Sequence, residues 1–266
     1  MRKQVSKRGL FRNGGTTFSL IIVYILMCAV FAILSPYFLK VKNFTNILVY
    51  MSITGVMAAG VTVCMLLGAM DISQYAIATV ASVVAALILK ANGPFAVAIL
   101  AAIATGVAAG AFNGLFFAKL KIPAIVVTLG TMQIFRGMAY LFAGGATIMI
   151  NNKTYDVIGK AYIANFLPVC VLILIITMAI VWIMLRRTKF GRLVYAVGGN
   201  ENASFLSGIS VDAIKFMAMV ISGTTAAIAG LITSSQVGAA IPSNGVGHEM
   251  PVRSRVRLGG IRLLGG

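Results

Sequence analysis

Long apolar stretches without charged side chains are the feature of this sequence that most constrains its fold. The stretch from Thr16 to Pro36 contains no Asp, Glu, Lys or Arg. About 20 apolar residues are enough for an α-helix to cross the hydrocarbon core of a bilayer. Charged residues make up only 10% of the 266-residue chain, whereas soluble domains are about one-quarter charged. The sequence therefore predicts an integral membrane protein.

The same stretches favour helices over a membrane barrel. Backbone polar groups in lipid are satisfied only in helices or closed barrels. Barrel strands are short and alternate in polarity, but these stretches are continuous and rich in Leu, Ile and Ala. We predict an all-α, polytopic transmembrane helix bundle with about seven or eight spans. The seven clear ones are residues 17–35, 47–69, 72–89, 94–117, 123–143, 166–185 and 214–236.

The distribution of basic residues predicts the orientation of the bundle. The formal net charge is +17. Strict alternation of seven spans places eleven Lys and Arg residues on the side of the N-terminus and five on the other side. Because cytoplasmic connectors are enriched in Lys and Arg, we predict a cytoplasmic N-terminus with residues 1–16 as a basic tail. This pattern accounts for the charge, so membrane lipid and not nucleic acid is the expected partner.

Three polar residues stand at or within the apolar stretches. Asp71 precedes the third predicted span and could cap it by accepting a hydrogen bond from a first-turn N–H; the alternative is a place in a translocation path. Arg136 lies inside the fifth span, where a charge costs about 2.5–3.5 kcal/mol unless it has a partner or a watery cavity. Gln133, one turn earlier, could be its hydrogen-bonding neighbour. A structural contact and a water-lined path both fit this pair.

Small residues recur along the fourth predicted span. Gly106, Gly110 and Gly114 are spaced by four residues and lie on one face of a helix. Such a row lets a neighbouring backbone approach closely. It predicts tight helix packing, with a moving or pore-lining helix as the functional alternative.

The connector of residues 186–213 is long for a link between two helices, and loops of that size are usually functional. Asn200 could cap a short helix that includes Phe205 and Leu206, and Gly208 could end it. A short cytoplasmic helix with exposed apolar residues suits docking onto another protein. The alternative is an interfacial helix lying on lipid.

Catalytic and metal-binding patterns are absent from the sequence. The three cysteines fit no zinc or redox spacing, and the single histidine, His248, has no neighbouring ligand. The few acidic residues are scattered, so a membrane enzyme or an ion-coupled secondary transporter is not favoured. No phosphate-binding Gly-x-x-x-x-Gly-Lys-Ser/Thr loop occurs. No metal and no cofactor are expected.

Several motifs, in order along nearly the whole chain, resemble the ribose/xylose-type sugar permeases of ABC importers, a branch of the binding-protein-dependent permease group. They are Gly68-Ala69-Met70-Asp71-Ile72-Ser73, Asn113-Gly114-Leu115, Lys121-Ile122-Pro123, Thr128-Leu129-Gly130-Thr131-Met132, Arg136-Gly137, Gly191-Arg192, Ala196-Val197-Gly198-Gly199-Asn200-Glu201 and Leu206-Ser207-Gly208-Ile209.

The resemblance implies a permease subunit in a bacterial cytoplasmic (inner) membrane that moves a ribose- or xylose-like sugar. It implies three kinds of partner: a separate ABC ATPase subunit, a second permease subunit in a homo- or heterodimer, and an extracytoplasmic sugar-binding protein. Branched-chain amino acid importers share the permease group and are the alternative. In the resemblance the ATPase-coupling residues are Gly199, Asn200, Glu201, Ala203, Leu206 and Gly208.

The C-terminal residues depart from the family's pattern. A hydrophobic continuation usually follows Gly247, whereas residues 251–266 contain four Arg within ten residues. Arginine opposes membrane embedding. We therefore expect a permease domain over residues 17–250 and a divergent Arg-rich segment over 251–266, with the family's last helices truncated.

Overall fold

The computed structural model describes the backbone of residues 8–163 and 167–244. Ten α-helices account for most of these residues. In chain order they are α1 Arg8–Leu34, α2 Val41–Leu66, α3 Gln74–Lys90, α4 Phe95–Gly114, α5 Ala124–Ala143, α6 Lys153–Lys160, α7 Val169–Arg187, α8 Lys189–Gly199, α9 Glu201–Leu206 and α10 Val211–Val237. A π-helical turn, Leu115–Lys119, continues α4.

Five helices of the described chain are long and apolar enough to cross a membrane: α2, α4 with its π-helical turn, α5, α7 and α10. Two shorter apolar helical segments, Ile21–Leu34 and Gln74–Lys90, coincide with the other two predicted spans. The prediction of a helical membrane protein is therefore confirmed, with five of the predicted seven spans meeting the length criterion. The crossing of the membrane by the other two remains a prediction.

The described part of the chain divides into two compact units, the first ending at Ile47 and the second beginning at Leu48. In the first unit, the rings of Phe31 and Phe38 stack with centroids 5.9 Å apart. The amino group of Lys40 lies 4.5 Å from the centroid of the Tyr37 ring. Asn43 donates a hydrogen bond to the Phe38 carbonyl at 2.8 Å, which fixes the turn between α1 and α2.

The core of the second unit forms around α3. Its apolar residues are distributed all round the helix, and twelve of its 17 residues are buried. A helix that is apolar on every side is stable only when neighbours cover it. Accordingly, α3 packs against α4, α5 and α10. Its length of 17 residues is therefore consistent with an interior helix.

The helices α4 and α10 approach each other through glycines. A Cβ atom at Gly106 would overlap the carbonyl oxygen of Gly223, and one at Gly110 would overlap the carbonyl of Met219. At Gly114 the added atom would lie 2.9 Å from the ring of Phe216. The predicted glycine row thus lies directly against α10, the arrangement that the packing interpretation requires.

The connector between α5 and α7 contains a short helix that the apolar pattern did not predict. Helix α6 is closely joined to the end of α10. The fully buried Tyr155 shares a hydrogen bond of 2.7 Å with the Ser234 hydroxyl, and the N–H of Gly159 donates to Ser235 Oγ at 2.8 Å. Burial raises the pKa of the Tyr155 phenol to about 12, so the phenol stays neutral and can keep donating.

Among residues 8–163 and 167–244, four two-residue strands form two small antiparallel pairs beside the helices. Strand β1, Ile148–Met149, pairs with β4, Ala239–Ala240, which follows α10. Strand β2, Tyr162–Ile163, pairs with β3, Leu167–Pro168. The pair β1–β4 joins segments about ninety residues apart in the chain and so lies outside what local pattern predicts. It holds the segment that precedes α6 beside the segment that follows α10.

Candidate functional site

The segment between α2 and α3 carries a buried carboxylate held by serine hydroxyls. Asp71 is 3% exposed. Its Oδ1 accepts hydrogen bonds from the backbone N–H of Ser73 at 2.9 Å and from the Ser73 hydroxyl at 2.6 Å. Its Oδ2 accepts from the Ser222 hydroxyl of α10 at 2.6 Å. Hydrogen bonds to a carboxylate are about twice as strong as neutral ones, so α10 is firmly joined to this segment.

Two side-chain amides extend the network on either side of the carboxylate. The amide group of Asn113, on α4, donates to the Ser73 hydroxyl at 2.8 Å. The amide group of Gln74, on α3, donates to the Ser222 hydroxyl at 2.9 Å and to the Met57 carbonyl of α2 at 3.2 Å. Both amides are buried. We call Asp71, Ser73, Gln74, Asn113 and Ser222 the aspartate network; it links four helices.

The aspartate network refines the interpretation of Asp71 as a helix cap. The carboxylate does act as an acceptor at the start of α3, and the donors there are the backbone N–H and the hydroxyl of Ser73, the N-cap residue. The segment that leads from α2 to Asp71 also has an unusual backbone conformation, since Gly68 has φ = 70°. That region suits glycine, which lacks a Cβ. The bend between α2 and α3 is thus set by Gly68 and held by Asp71.

The predicted neighbours Arg136 and Gln133 meet on α5. The guanidinium donates to Gln133 Oε1 at 3.2 Å. Gln133 is exposed and Arg136 half-buried. Gly130 and Gly137 lie on the same side of the helix and have no neighbour within 4 Å of an added Cβ. This part of α5, residues 130–137, therefore presents polar and small groups outward, together with the apolar Ile134, which is 51% exposed.

The segment between α7 and α10 folds into two helices, α8 and α9. The Thr188 hydroxyl caps α8 by accepting from the Gly191 N–H at 3.2 Å. Asn200 caps α9 as its sequence predicted, accepting from the Ala203 N–H at 2.9 Å. Gly208 follows α9 with φ = 79°, a conformation that ends helices. The eleven-residue helix α8 was not predicted, because it directly follows α7 in a connector that was interpreted from its length and its basic residues.

Helix α9 presents large apolar side chains outward. Phe205 is 70% and Leu206 84% exposed, while Ser204 is buried against the protein. Glu201 forms an ion pair of 2.7 Å with Lys215 of α10, and that cation also lies 5.2 Å from the Phe117 ring centroid. The short helix is thus fixed to the base of α10, and its free side is apolar.

The predicted site residues fall into three separate groups in the structure. Asp71 is in the buried network, the pair Gln133 and Arg136 is on α5, and the residues 199–208 surround α9. Gln74, Asn113 and Ser222 are members of the first group that sequence reasoning did not single out. A polar residue in an apolar span is the available signal, but it does not identify the partner. Ser222 lies 151 residues from Asp71.

Similarity to known proteins extends over most of the chain. The sequence profile of the family described as "branched-chain amino acid transport system / permease component" matches residues 43–266. The ribose import permease protein RbsC of Haemophilus influenzae is 33% identical over 249 residues, which cover 92% of this chain and 77% of that protein.

Two further relatives come from Escherichia coli strain K12. The L-arabinose transport system permease protein AraH is 32% identical, covering 94% of this chain and 76% of that protein. The D-allose transport system permease protein AlsC is 34% identical, covering 95% of this chain and 76% of that protein. No solved structure gives a significant match.

Proposed function

Because this chain belongs to the branched-chain amino acid transport system / permease component family, we propose that it is the membrane subunit through which an ATP-driven importer moves a small sugar into a bacterial cell. It is a multi-pass permease and not an enzyme. The relatives named for ribose, arabinose and allose support a monosaccharide as the cargo. Hydrolysis of ATP then takes place on a separate ATPase subunit, and an extracytoplasmic binding protein delivers the sugar.

The observation that best supports an ATP-driven transporter is the exposed apolar side of α9, which suits the docking of an ATPase subunit. In water, a capped helix with Phe205 and Leu206 exposed is stabilised by covering those side chains, since burying one large apolar side chain contributes about 1.5–3 kcal/mol. Docking of the ATPase subunit would cover them. The residues in this role are Gly199, Asn200, Glu201, Ala203, Leu206 and Gly208.

The glycines in this set have distinct structural reasons. An added Cβ at Gly199 would meet no atom within 4 Å, so the surface before α9 is open to a partner's backbone. Gly208 adopts a left-handed conformation, which lets the chain turn sharply into α10. The docking surface and the membrane helix are thereby joined by only four residues, Ser207 to Ser210.

We assign the polar side of α5 to the translocation path. Gln133 and Arg136 would be unfavourable against lipid, since polar side chains are costly there and a charge at the helix centre costs about 2.5–3.5 kcal/mol. A second permease subunit facing this helix would enclose a polar path between the two chains. Asp71 is too deeply buried to meet a solute there, and its role is to hold the bend between α2 and α3.

The docking assignment is tested by the double substitution Glu201→Arg and Leu206→Arg. These changes place two cations on the docking surface and remove the Lys215 ion pair, so we expect loss of the ATPase subunit on co-purification from detergent. The matched control is Met149→Arg, another exposed apolar position, at 64% against 84% for Leu206, on strand β1. Retention of the ATPase by the double variant would disprove the assignment.

The family's description also names branched-chain amino acids, which gives a second candidate cargo. Uptake of labelled D-ribose, L-arabinose, D-allose and leucine by the assembled transporter distinguishes the two classes. We expect uptake of at least one sugar and none of leucine. Uptake of leucine alone would replace the sugar proposal with the amino acid one.

A further inference from the structure

We propose that a cavity between α2, α3 and α10 is a binding site for a neutral, polyhydroxylated solute of monosaccharide size, an inference that rests on the proposed function. The cavity has a volume of about 370 Å³. Small-molecule sites in proteins occupy about 300–1,000 Å³, so this cavity is at the lower end of that range. A single sugar ring is the appropriate size of ligand. We call this cavity the hydroxyl cavity.

Threonines on three helices line the hydroxyl cavity, and the hydroxyl of each already donates its proton to a backbone carbonyl. Thr54 on α2 donates to the Tyr50 carbonyl at 2.9 Å. Thr79 on α3 shares its proton between the Tyr75 carbonyl at 2.8 Å and the carbonyl of Asn244, another lining residue, at 2.9 Å. Thr233 on α10 donates to the Ala229 carbonyl at 2.8 Å.

In this arrangement the threonine oxygens can act toward a ligand only as hydrogen-bond acceptors. A hydroxyl has one donor and two acceptor positions, so an oxygen that has donated its proton can only accept. Ser82 adds a fourth such oxygen, because its hydroxyl donates to the Thr79 carbonyl at 2.7 Å. A ligand that presents several O–H donors in a small volume matches these four acceptors. Polyols and sugars are that class of molecule.

The remaining lining favours a sugar ring over an extended polar chain. Tyr50 and Tyr75 border the cavity together with the apolar residues Ile53 and Met57. Aromatic side chains of this kind combine a flat apolar surface with a polar end. A sugar ring has C–H groups on its faces and hydroxyls at its edge, so it can pack on the rings and reach the threonines together.

The described lining also discriminates against amino acids. It includes no Asp, Glu, Lys, Arg or His side chain. A zwitterionic amino acid would have to leave water without an ionic partner for its carboxylate or ammonium group, which is strongly unfavourable. The cavity therefore selects a neutral solute, and it separates the two cargo classes that the family's relatives and description leave open.

The hydroxyl cavity is connected to the aspartate network through Met57. Met57 lines the cavity, and its carbonyl accepts the hydrogen bond from Gln74 at 3.2 Å. Fixed hydrogen bonds beneath a site hold its groups in place before the ligand arrives. The cavity is consequently a preformed site on a rigid support.

The test uses the transporter assembled with its ATPase and binding-protein subunits in lipid vesicles. Thr79→Val and Thr233→Val together remove two acceptors with little change in side-chain volume. At saturating sugar-loaded binding protein, we expect D-ribose uptake to fall roughly tenfold, which is the effect of losing two hydrogen bonds of about 0.5–1.5 kcal/mol each. Binding-protein-stimulated ATP hydrolysis should stay within twofold of the unmodified transporter.

The matched control is Thr224→Val on the same helix. Thr224 makes the same backbone hydrogen bond, to the Val220 carbonyl at 2.7 Å, but it is not part of the cavity lining. Its uptake should be unchanged. An equal loss of uptake and ATP hydrolysis in the double variant, or a loss equal to that of the control, would overturn the proposal.

A second measurement reports on the cavity without transport. In a background with the native cysteines replaced by alanine, Thr233→Cys places a thiol in the cavity, and we follow its alkylation by a small maleimide. D-ribose should slow this reaction at least threefold, leucine should not, and Thr224→Cys should be insensitive to both. A reaction rate unaffected by D-ribose, L-arabinose and D-allose would refute the site. If the unmodified transporter takes up no sugar, the proposed function fails instead.

Discussion

At the residue scale, Asp71 illustrates how a buried charge joins distant parts of the chain. Two serine hydroxyls donate to its carboxylate, and each of those hydroxyls accepts from a buried amide. Buried polar groups in a low-dielectric interior interact strongly when they are satisfied and are costly when they are not. The network should therefore respond to the loss of a single hydroxyl.

We predict that Ser222→Ala destabilises the protein. The change removes the donor to Asp71 Oδ2 and the acceptor of the Gln74 amide at once. Loss of a partner from a buried polar group costs about 1–3 kcal/mol. The midpoint of thermal unfolding in detergent should fall measurably, whereas Ser207→Ala, at the exposed end of α9, should leave it unchanged. Equal midpoints for the two variants would contradict a stabilising role for the network.

At the scale of the helices, α4 and α10 make a close backbone contact through small residues. Within lipid, helices gain little from covering apolar side chains, so close backbone contact through small residues drives their association. Gly106 and Gly110 face Gly223 and Met219 at distances that leave no room for a side chain. The sequence spacing alone predicted the glycine face; it did not identify the partner helix.

We predict opposite effects for two glycine-to-alanine changes. At Gly110 the new Cβ would meet the Met219 carbonyl and would lie 2.8 Å from the Val220 Cα, so α4 and α10 must separate. Overpacking of this kind costs about 1–3 kcal/mol. At Gly137 nothing lies within 4 Å of the added atom, and alanine should be neutral or stabilising by up to about 1 kcal/mol. Resistance to unfolding in mixed detergent would measure both.

An unchanged Gly110→Ala variant would show that the two helices can move apart without loss, which is the behaviour of a moving helix. The same assay on Gly106→Ala gives an independent reading, since its Cβ would overlap a carbonyl and the Ala227 side chain. Destabilisation in both cases would support the packing interpretation of the glycine row.

Local signals predicted elements well, and non-local contacts explain the rest. The spans follow from continuous apolar stretches, and the Asn200 cap follows from a residue three positions before its donor. Helix α6 was missed because its eight residues are too few and too polar to stand out. The aspartate network and the β1–β4 pair were missed because their partners lie far apart in the chain, where spacing carries no information about contact.

At the scale of the whole molecule, the basic residues of the connectors predict the orientation in the membrane. The excess of Lys and Arg places residues 186–213 on the cytoplasmic side. Helix α6 should then lie outside the cell, at the opposite end of α10.

This orientation is tested by labelling single cysteines in intact cells, in a background with Cys28, Cys64 and Cys170 replaced by alanine. A membrane-impermeant maleimide should modify Lys153→Cys directly. It should reach Asn202→Cys only after permeabilisation. Labelling of Asn202→Cys from outside would reverse the orientation and remove the basis for ATPase docking at α9.

Helix α10 is fastened at both of its ends. Near its first turn, Lys215 is bound to Glu201 of α9. Near its last turn, Ser234 and Ser235 are bound to α6. Its 27 residues span about 40 Å at 1.5 Å per residue. A stiff helix held at both ends in this way transmits an axial displacement along its whole length. The surface formed by α9 and the surface formed by α6 are therefore coupled through a single helix, without an intermediate element.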